Sequence, residues 1–182
     1  MQNNFDIKNA TSTEIKAIEE YTSGTQRKRH TKIKTVVAKE YKNLTVDESY
    51  FIPFAKTIES MFQKYDSSFP KDEKLFRGVP LTDELFDIYS KISLGTEIIL
   101  DKSFMSFSKD LEVALDYAEV DLNDNKSLLI IANNRISNDL DLIGHSYFAE
   151  ESEILLNKNL KWKVVKSTIE DNSIYLEVEE FL

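Results

Sequence analysis

The 182-residue chain contains no cysteine, which excludes disulfides, thiolate metal sites and cysteine nucleophiles together. Histidine is nearly as scarce: His30 and His145 are the only two, too few for a histidine-rich metal centre, so no metal is expected. No apolar run approaches the roughly 20 residues of a membrane-spanning helix, so no membrane role is expected. Glycine occurs four times, as Gly24, Gly78, Gly95 and Gly144, and each marks a backbone position that a side chain would obstruct. None of them forms a G-x-G-x-x-G or P-loop pattern, so any nucleotide bound is not held in the Rossmann manner. Basic residues are outnumbered, 23 Lys and Arg against 32 Asp and Glu, for a net charge of -9. That balance disfavours general binding to nucleic acid or anionic lipid. Arg27, Lys28, Arg29 and His30 with Lys32 and Lys34 form a local exception, either a solvated helix start or a meeting point for a phosphate or an acidic partner. The opening segment Met1–Asp6 has neither a basic start nor an apolar stretch after it, and the expected residence is cytoplasmic.

What is present is an apolar fraction of 41% with 11% aromatics, the composition of a folded protein. One domain is expected over 1–182, with a helical flank over 1–70 and a strand-rich core over 71–182. Thr11 and Glu14 supply a capping box ahead of an apolar stripe of Ile15, Ile18 and Tyr21. A second helix carries Ile33, Val36, Val37 and Tyr41, and a third carries Phe51, Phe54, Ile58, Met61, Phe62 and Tyr65. From Leu75 onward short extended runs dominate: 75–79, 97–100, 103–108, 127–132, 154–156, 162–167 and 174–178. Two helices interrupt them, one with Leu85, Phe86, Tyr89 and Ile92, the other with Leu111, Ala114, Leu115 and Ala118. Helices first and strands later, without regular alternation, indicate an α+β fold.

Three stretches carry candidate chemistry. Arg77 stands in an otherwise apolar strand, where a charge needs an anionic partner, either a structural carboxylate or a pyrophosphate gripped bidentately beside Gly78. Phe104-Met105-Ser106-Phe107-Ser108 alternates apolar residues with hydroxyls, which places Ser106 and Ser108 on one strand face, suited to a ribose or a neighbouring carboxylate. Glu151-Ser152-Glu153 heads the apolar run Ile154-Leu155-Leu156, and in an extended strand its two carboxylates project side by side.

Taken in order, Leu-Phe-Arg-Gly, then Phe-X-Ser-X-Ser with a following helix bearing Ala114, Tyr117 and Ala118, then Glu-X-Glu-Ile-Leu-Leu, the set resembles the mono-ADP-ribosyltransferases of the Arg-Ser-Glu class. The resemblance is to the clostridial-toxin-like and T-even bacteriophage branch. Tyr21-Thr22-Ser23-Gly24 is similar to the segment that ends an early helix in that family, so the likeness runs from about residue 14 to the end. It implies two facing β-sheets with an N-terminal helical flank, and NAD, as co-substrate, in the cleft between the sheets.

The roles implied by the resemblance are specific. Arg77 binds the phosphates and Gly78 the nicotinamide amide through its backbone, while Ser106, with Ser108, serves the ribose and braces Glu153. Glu153 stabilises the oxocarbenium-like cation left as nicotinamide departs. Glu151 orients and deprotonates the acceptor, and glutamate at that position goes with arginine as the modified residue. Tyr117 is a nicotinamide-side aromatic or else a core residue of its helix, and Tyr21 flanks the adenosine side. Tyr147 and Phe148, in the loop after Gly144, meet the protein substrate, and His145 beside them is read as a surface histidine. Two positions depart from the family pattern. Phe107 replaces a threonine, and Glu119 with Val120 stand where a second phosphate-binding arginine is common, a task left to Lys109 or Arg135. The expected function is therefore transfer of ADP-ribose to a protein arginine by a monomer acting in the cytoplasm, as a phage enzyme or a delivered toxin domain. NAD glycohydrolysis and a non-catalytic binding module that retains the fold are the alternatives.

Overall fold

Thr11 starts the first helix as the sequence predicts. Its hydroxyl accepts from Glu14 N–H while the Glu14 carboxylate accepts from Thr11 N–H at 2.7 Å, a reciprocal cap for α1 (Ser12–Thr22). The computed structural model describes residues 3–4, 9–23, 27–67, 69–119, 125–142 and 152–182. These fall into two compact units. One takes in Met1–Phe69, Asp101–Met105 and Asn138–Asn159, the other Pro70–Leu100, Ser106–Ser137 and Leu160–Leu182.

The first unit is helical. After a two-residue strand β1 (Asn3–Asn4) come α1, α2 (Arg27–Ala38), α3 (Val46–Ser49) and α4 (Ile52–Lys64). A parallel pairing joins β1 to β2 (Tyr65–Asp66). The apolar stripes face one another: Ala17, Ile18 and Tyr21 from α1, Ile33, Val36 and Val37 from α2, and Ala55, Ile58, Met61 and Phe62 from α4 are all buried, with Phe104 among them. Each large side chain withdrawn in this way stabilises the fold by roughly 1.5–3 kcal/mol. Glu14 is buried beside that core, where Lys64 Nζ at 2.9 Å and the Tyr65 hydroxyl at 3.2 Å meet its carboxylate. Burial pushes its pKa up, but the Thr11 N–H, the Lys64 ammonium and the Thr11 hydroxyl outweigh that, and the net shift is downward. Three cations of the basic run on α2 are paired within this unit. Arg29 bridges both oxygens of Glu20, Lys32 pairs with Asp47, and Lys34 reaches Asp101 at 2.8 Å. Two strands complete the unit, β7 (Asp139–Asp141) and β8 (Glu153–Leu156), antiparallel with Leu140 opposite Leu155.

The second unit is built on a sheet. Its strands are β3 (Leu75–Leu81), β4 (Glu97–Ile99), β5 (Met105–Ser108), β6 (Lys126–Asn133), β9 (Lys161–Glu170) and β10 (Ser173–Phe181). They lie in the order β4-β9-β10-β6-β3-β5. All neighbours are antiparallel except β10 and β6, which run parallel. β10 buries Ile174, Leu176 and Val178 on one face, the period-two pattern of a sheet with one side against a core. α5 (Asp83–Tyr89) and α6 (Leu111–Ala118) are the two intervening helices. Trp162, the only tryptophan, is fully buried on β9. Among the described residues no helix is long and apolar enough to cross a membrane.

Candidate active site

In the second unit β3 carries Arg77 and Gly78 side by side, with Arg77 opposite Ile130 and Gly78 opposite Leu129 of β6. The guanidinium is half-buried, and its Nη1 donates to the Ser106 carbonyl at 2.6 Å, which ties β3 to β5. No carboxylate among the described residues pairs with it. Among the described residues a backbone acceptor stands where the sequence left a structural ion pair open. A charge held this way keeps its other N–H groups for an anion, and their planar fork matches two phosphate oxygens.

Gly78 has a reason of its own that the sequence did not reveal. A Cβ at this position would lie 1.7 Å from the Ala114 carbonyl oxygen and 2.7 Å from Ala118 N, so α6 rests directly on the β3 backbone. Ala114 and Ala118, one helical turn apart, are the small residues that permit the approach, and both are buried. The glycine is therefore required by helix packing, whether or not a ligand also approaches its backbone.

Ser106 is half-buried on β5, while Ser108 is buried, as are Met105 and Phe107. The expectation of an open hydroxyl face is therefore corrected at Ser108. Its Oγ accepts from Asp110 N–H at 2.9 Å, and the Asp110 carboxylate in turn caps α6 by accepting from Glu112 N–H at 2.9 Å. The two bonds turn the chain from β5 into the helix. Tyr117, near the end of α6, is 54% exposed, so it is not a core residue. Arg135 does not supply a second phosphate ligand. It is 3% exposed, and its terminal nitrogens donate to the carbonyls of Glu73 at 2.7 Å and Pro70 at 2.9 Å, clamping one loop to another. The same loop is gripped by Glu180, which accepts from the Ile136 and Ser137 N–H groups at 2.7 and 2.9 Å.

In the first unit Glu153 is the first residue of β8 and is buried, and its carbonyl accepts from Leu142 N–H at 2.9 Å. Ser152 has φ of 47°, a left-handed conformation, so the strand begins at Glu153 and the extended Glu-X-Glu geometry expected from sequence is interrupted. Glu151, Tyr147, Phe148, Gly144, His145, Gly24 and Val120 lie outside the described residues. Tyr21 is a core residue at 1% exposure, its ring edge-on to His30 at 4.5 Å and to Phe104 at 6.2 Å. A place beside adenosine does not fit that burial.

No protein-family model and no curated protein sequence matches the chain. Its architecture does match solved structures, and the class they define is the ADP-ribosyltransferase fold, α+β as the order of elements implies. The ADP-ribosyltransferase Vis, a toxin of Vibrio splendidus solved with an inhibitor, superposes with a TM-score of 0.74 at 19% identity, covering 100% of this chain and 78% of Vis. The C3 exoenzyme of Clostridium limosum gives 0.67 at 15% identity over 96% of this chain and 87% of its own. Exoenzyme S of Pseudomonas aeruginosa, solved with human 14-3-3 protein beta and carba-NAD, gives 0.65 at 17% identity over 93% and 74%.

Proposed function

We propose that the chain is an NAD-dependent mono-ADP-ribosyltransferase that modifies arginine on a protein acceptor in the cytoplasm, working as one domain and as a monomer. The observation that carries this is Arg77: a half-buried guanidinium with no carboxylate partner among the described residues, on a strand of an ADP-ribosyltransferase fold. Two structures of similar fold support the chemistry, one with carba-NAD and one, Vis, with agmatine, a small guanidino compound.

Arg77 holds the pyrophosphate, aided by the Gly78 backbone at the nicotinamide amide, and Ser106 serves the adjoining ribose. Glu153 stabilises the positive charge that grows on the ribose as the bond to nicotinamide breaks, with benefit concentrated in the transition state. Glu151 orients the acceptor guanidinium and takes its proton, and Tyr147 and Phe148 meet the acceptor protein. Tyr117 stacks at the nicotinamide side. Lys109, unlike Arg135, remains a candidate for the second phosphate contact.

Incubation with NAD and agmatine tests the proposal. Nicotinamide should be released with ADP-ribosyl-agmatine as the partner product, and Glu153→Gln should lower turnover by about 100-fold or more. Arg77→Met should raise KM for NAD. Turnover that survives Glu153→Gln would remove that residue from its role. Free ADP-ribose as the sole product would mean glycohydrolysis, and no nicotinamide release would mean a binding module.

A further inference from the structure

β4 is the outermost strand of its sheet, paired with β9 on one side and with no described strand on the other. Which of its backbone groups face outward follows from the hydrogen bonds at its start. Gly95 N–H donates to the Val164 carbonyl at 2.8 Å, and Val164 N–H donates to the Thr96 carbonyl at 2.9 Å, so two residues here oppose one of β9. With φ of 84° at Gly95, this is a glycine-headed β-bulge. Beyond it Glu97 stands opposite Lys163, Ile98 opposite Trp162 and Ile99 opposite Lys161. Bonded pairs alternate in an antiparallel ladder, so Ile98 bonds inward to Trp162, and the N–H and C=O groups of Glu97 and Ile99 point away from β9. No described residue bonds to these outward groups.

The edge lacks the usual protection. Lysine and proline commonly blunt such strands, and the run Glu97-Ile98-Ile99-Leu100 holds neither. Instead Ile99 is 52% exposed, and Leu94, just ahead of the bulge, is 72% exposed. The charge of this segment is acidic. From Thr82 to Leu100 the acids are Asp83, Glu84, Asp87 and Glu97, and the single base, Lys91, is already paired with Asp87 at 3.1 Å. Lys126 of β6 pairs with Asp83 at 3.0 Å, whereas Glu97 forms no ion pair with a described residue, Lys163 opposite it included. A second copy is a poor occupant, because each copy carries a net charge of -9.

We propose that the outer edge of β4 is a docking site for an extended, basic segment of a partner protein, which adds to the sheet as an antiparallel strand. In antiparallel addition, two partner residues two positions apart satisfy all the outward groups of Glu97 and Ile99. Their side chains then stand opposite Ile99 and Glu97 on one face of the sheet. The segment that fits therefore reads, from its N-terminal side, an apolar residue, any residue, and then lysine or arginine. Matched apolar and opposite-charge pairs across the new ladder select this pattern over others.

The test is amide hydrogen exchange of the full chain, read by NMR, with the peptide acetyl-Ser-Thr-Val-Thr-Lys-Thr-Ser-amide at millimolar concentration. Exchange at Glu97 and Ile99 should slow on binding, while Ile98, already bonded to Trp162, changes little. Replacing the peptide's lysine by glutamate should weaken binding about fivefold. Glu97→Lys should reverse that preference. Ile99→Pro should abolish binding and leave the fold intact by Trp162 fluorescence, because proline is tolerated on an edge strand where the N–H faces solvent. Should Ile99→Pro not fold, the reversal by Glu97→Lys decides alone. Equal affinity for the two peptides, slowed exchange only elsewhere in the chain, or no binding of either peptide overturns the inference. So does protection of Glu97 and Ile99 that rises with protein concentration without peptide, which assigns the edge to a second copy.

Discussion

Replacing Gly78 by alanine puts the packing of α6 on β3 to a direct test. The added Cβ would stand 1.7 Å from the Ala114 carbonyl oxygen, where ordinary contact begins at 3.4 Å, so the helix must withdraw by the difference, about 1.7 Å. Neither atom can rotate away, because one is fixed by the strand backbone and the other by the helix backbone. Withdrawal opens the tight seam that Ala114 and Ala118 now fill at 2% and 0% exposure. Overpacking of this kind costs typically 1–3 kcal/mol, and with no flexible side chain to yield, about 3 kcal/mol is expected. For a chain of this length that corresponds to a fall in Tm of about 6–12 °C. Urea unfolding followed by Trp162 fluorescence is the assay, since that single buried indole reports the unit to which Gly78 belongs. Gly95→Ala is the control: nothing lies within 4 Å of its Cβ, but φ is 84°, so only backbone strain of about 1–2 kcal/mol applies. If Gly78→Ala leaves the midpoint unchanged, or costs less than Gly95→Ala, the close approach of α6 to β3 is not what requires the glycine.

Two other groups give predictions of their own. The depressed pKa of Glu14 means that its carboxylate stabilises the fold above the ordinary carboxylate range, and that this stabilisation is lost as pH falls through the folded-state value. Glu14→Gln should therefore be less stable than the parent at pH 7, with the gap narrowing below about pH 4; circular dichroism melts would show it, and a gap independent of pH would refute it. Arg135→Met should leave the Glu73 and Pro70 carbonyls without their donor and cost about 1–3 kcal/mol, read from the urea midpoint, while an unchanged midpoint would deny the clamp any energetic role.

Local features were legible in the residues because their causes are local. The Thr11–Glu14 capping box, the apolar stripe of α1 and the period-two alternation of β10 each depend on neighbours within a few positions. Of the helical unit's elements α3 was not visible, since its four residues are too few for any periodicity, whereas α4 was read from the spacing of Ile58, Met61 and Phe62. At Ser152 alternation misled: the residues on either side suit a strand, but the left-handed backbone there is a conformation that no count of apolar positions reports. Arg135 illustrates the same limit from the other side. An arginine in a polar connection reads as solvent-exposed or ligand-binding, and its two carbonyl partners lie more than 60 residues earlier in the chain.

By itself the sequence determined the α+β order of elements, the absence of thiol chemistry, and the ordered arginine, serine and glutamate positions that resemble an ADP-ribosyltransferase, because composition and spacing are properties of the chain. Tertiary structure decided which of those residues are occupied by packing. It gave Arg77 a carbonyl in place of a carboxylate, made Gly78 the seat of α6, assigned the Ser108 hydroxyl to the turn before that helix, and enclosed Tyr21 in a core. Each of these outcomes is set by atoms brought together across long stretches of chain, and a side chain's free hydrogen-bonding capacity exists only once those neighbours are in place.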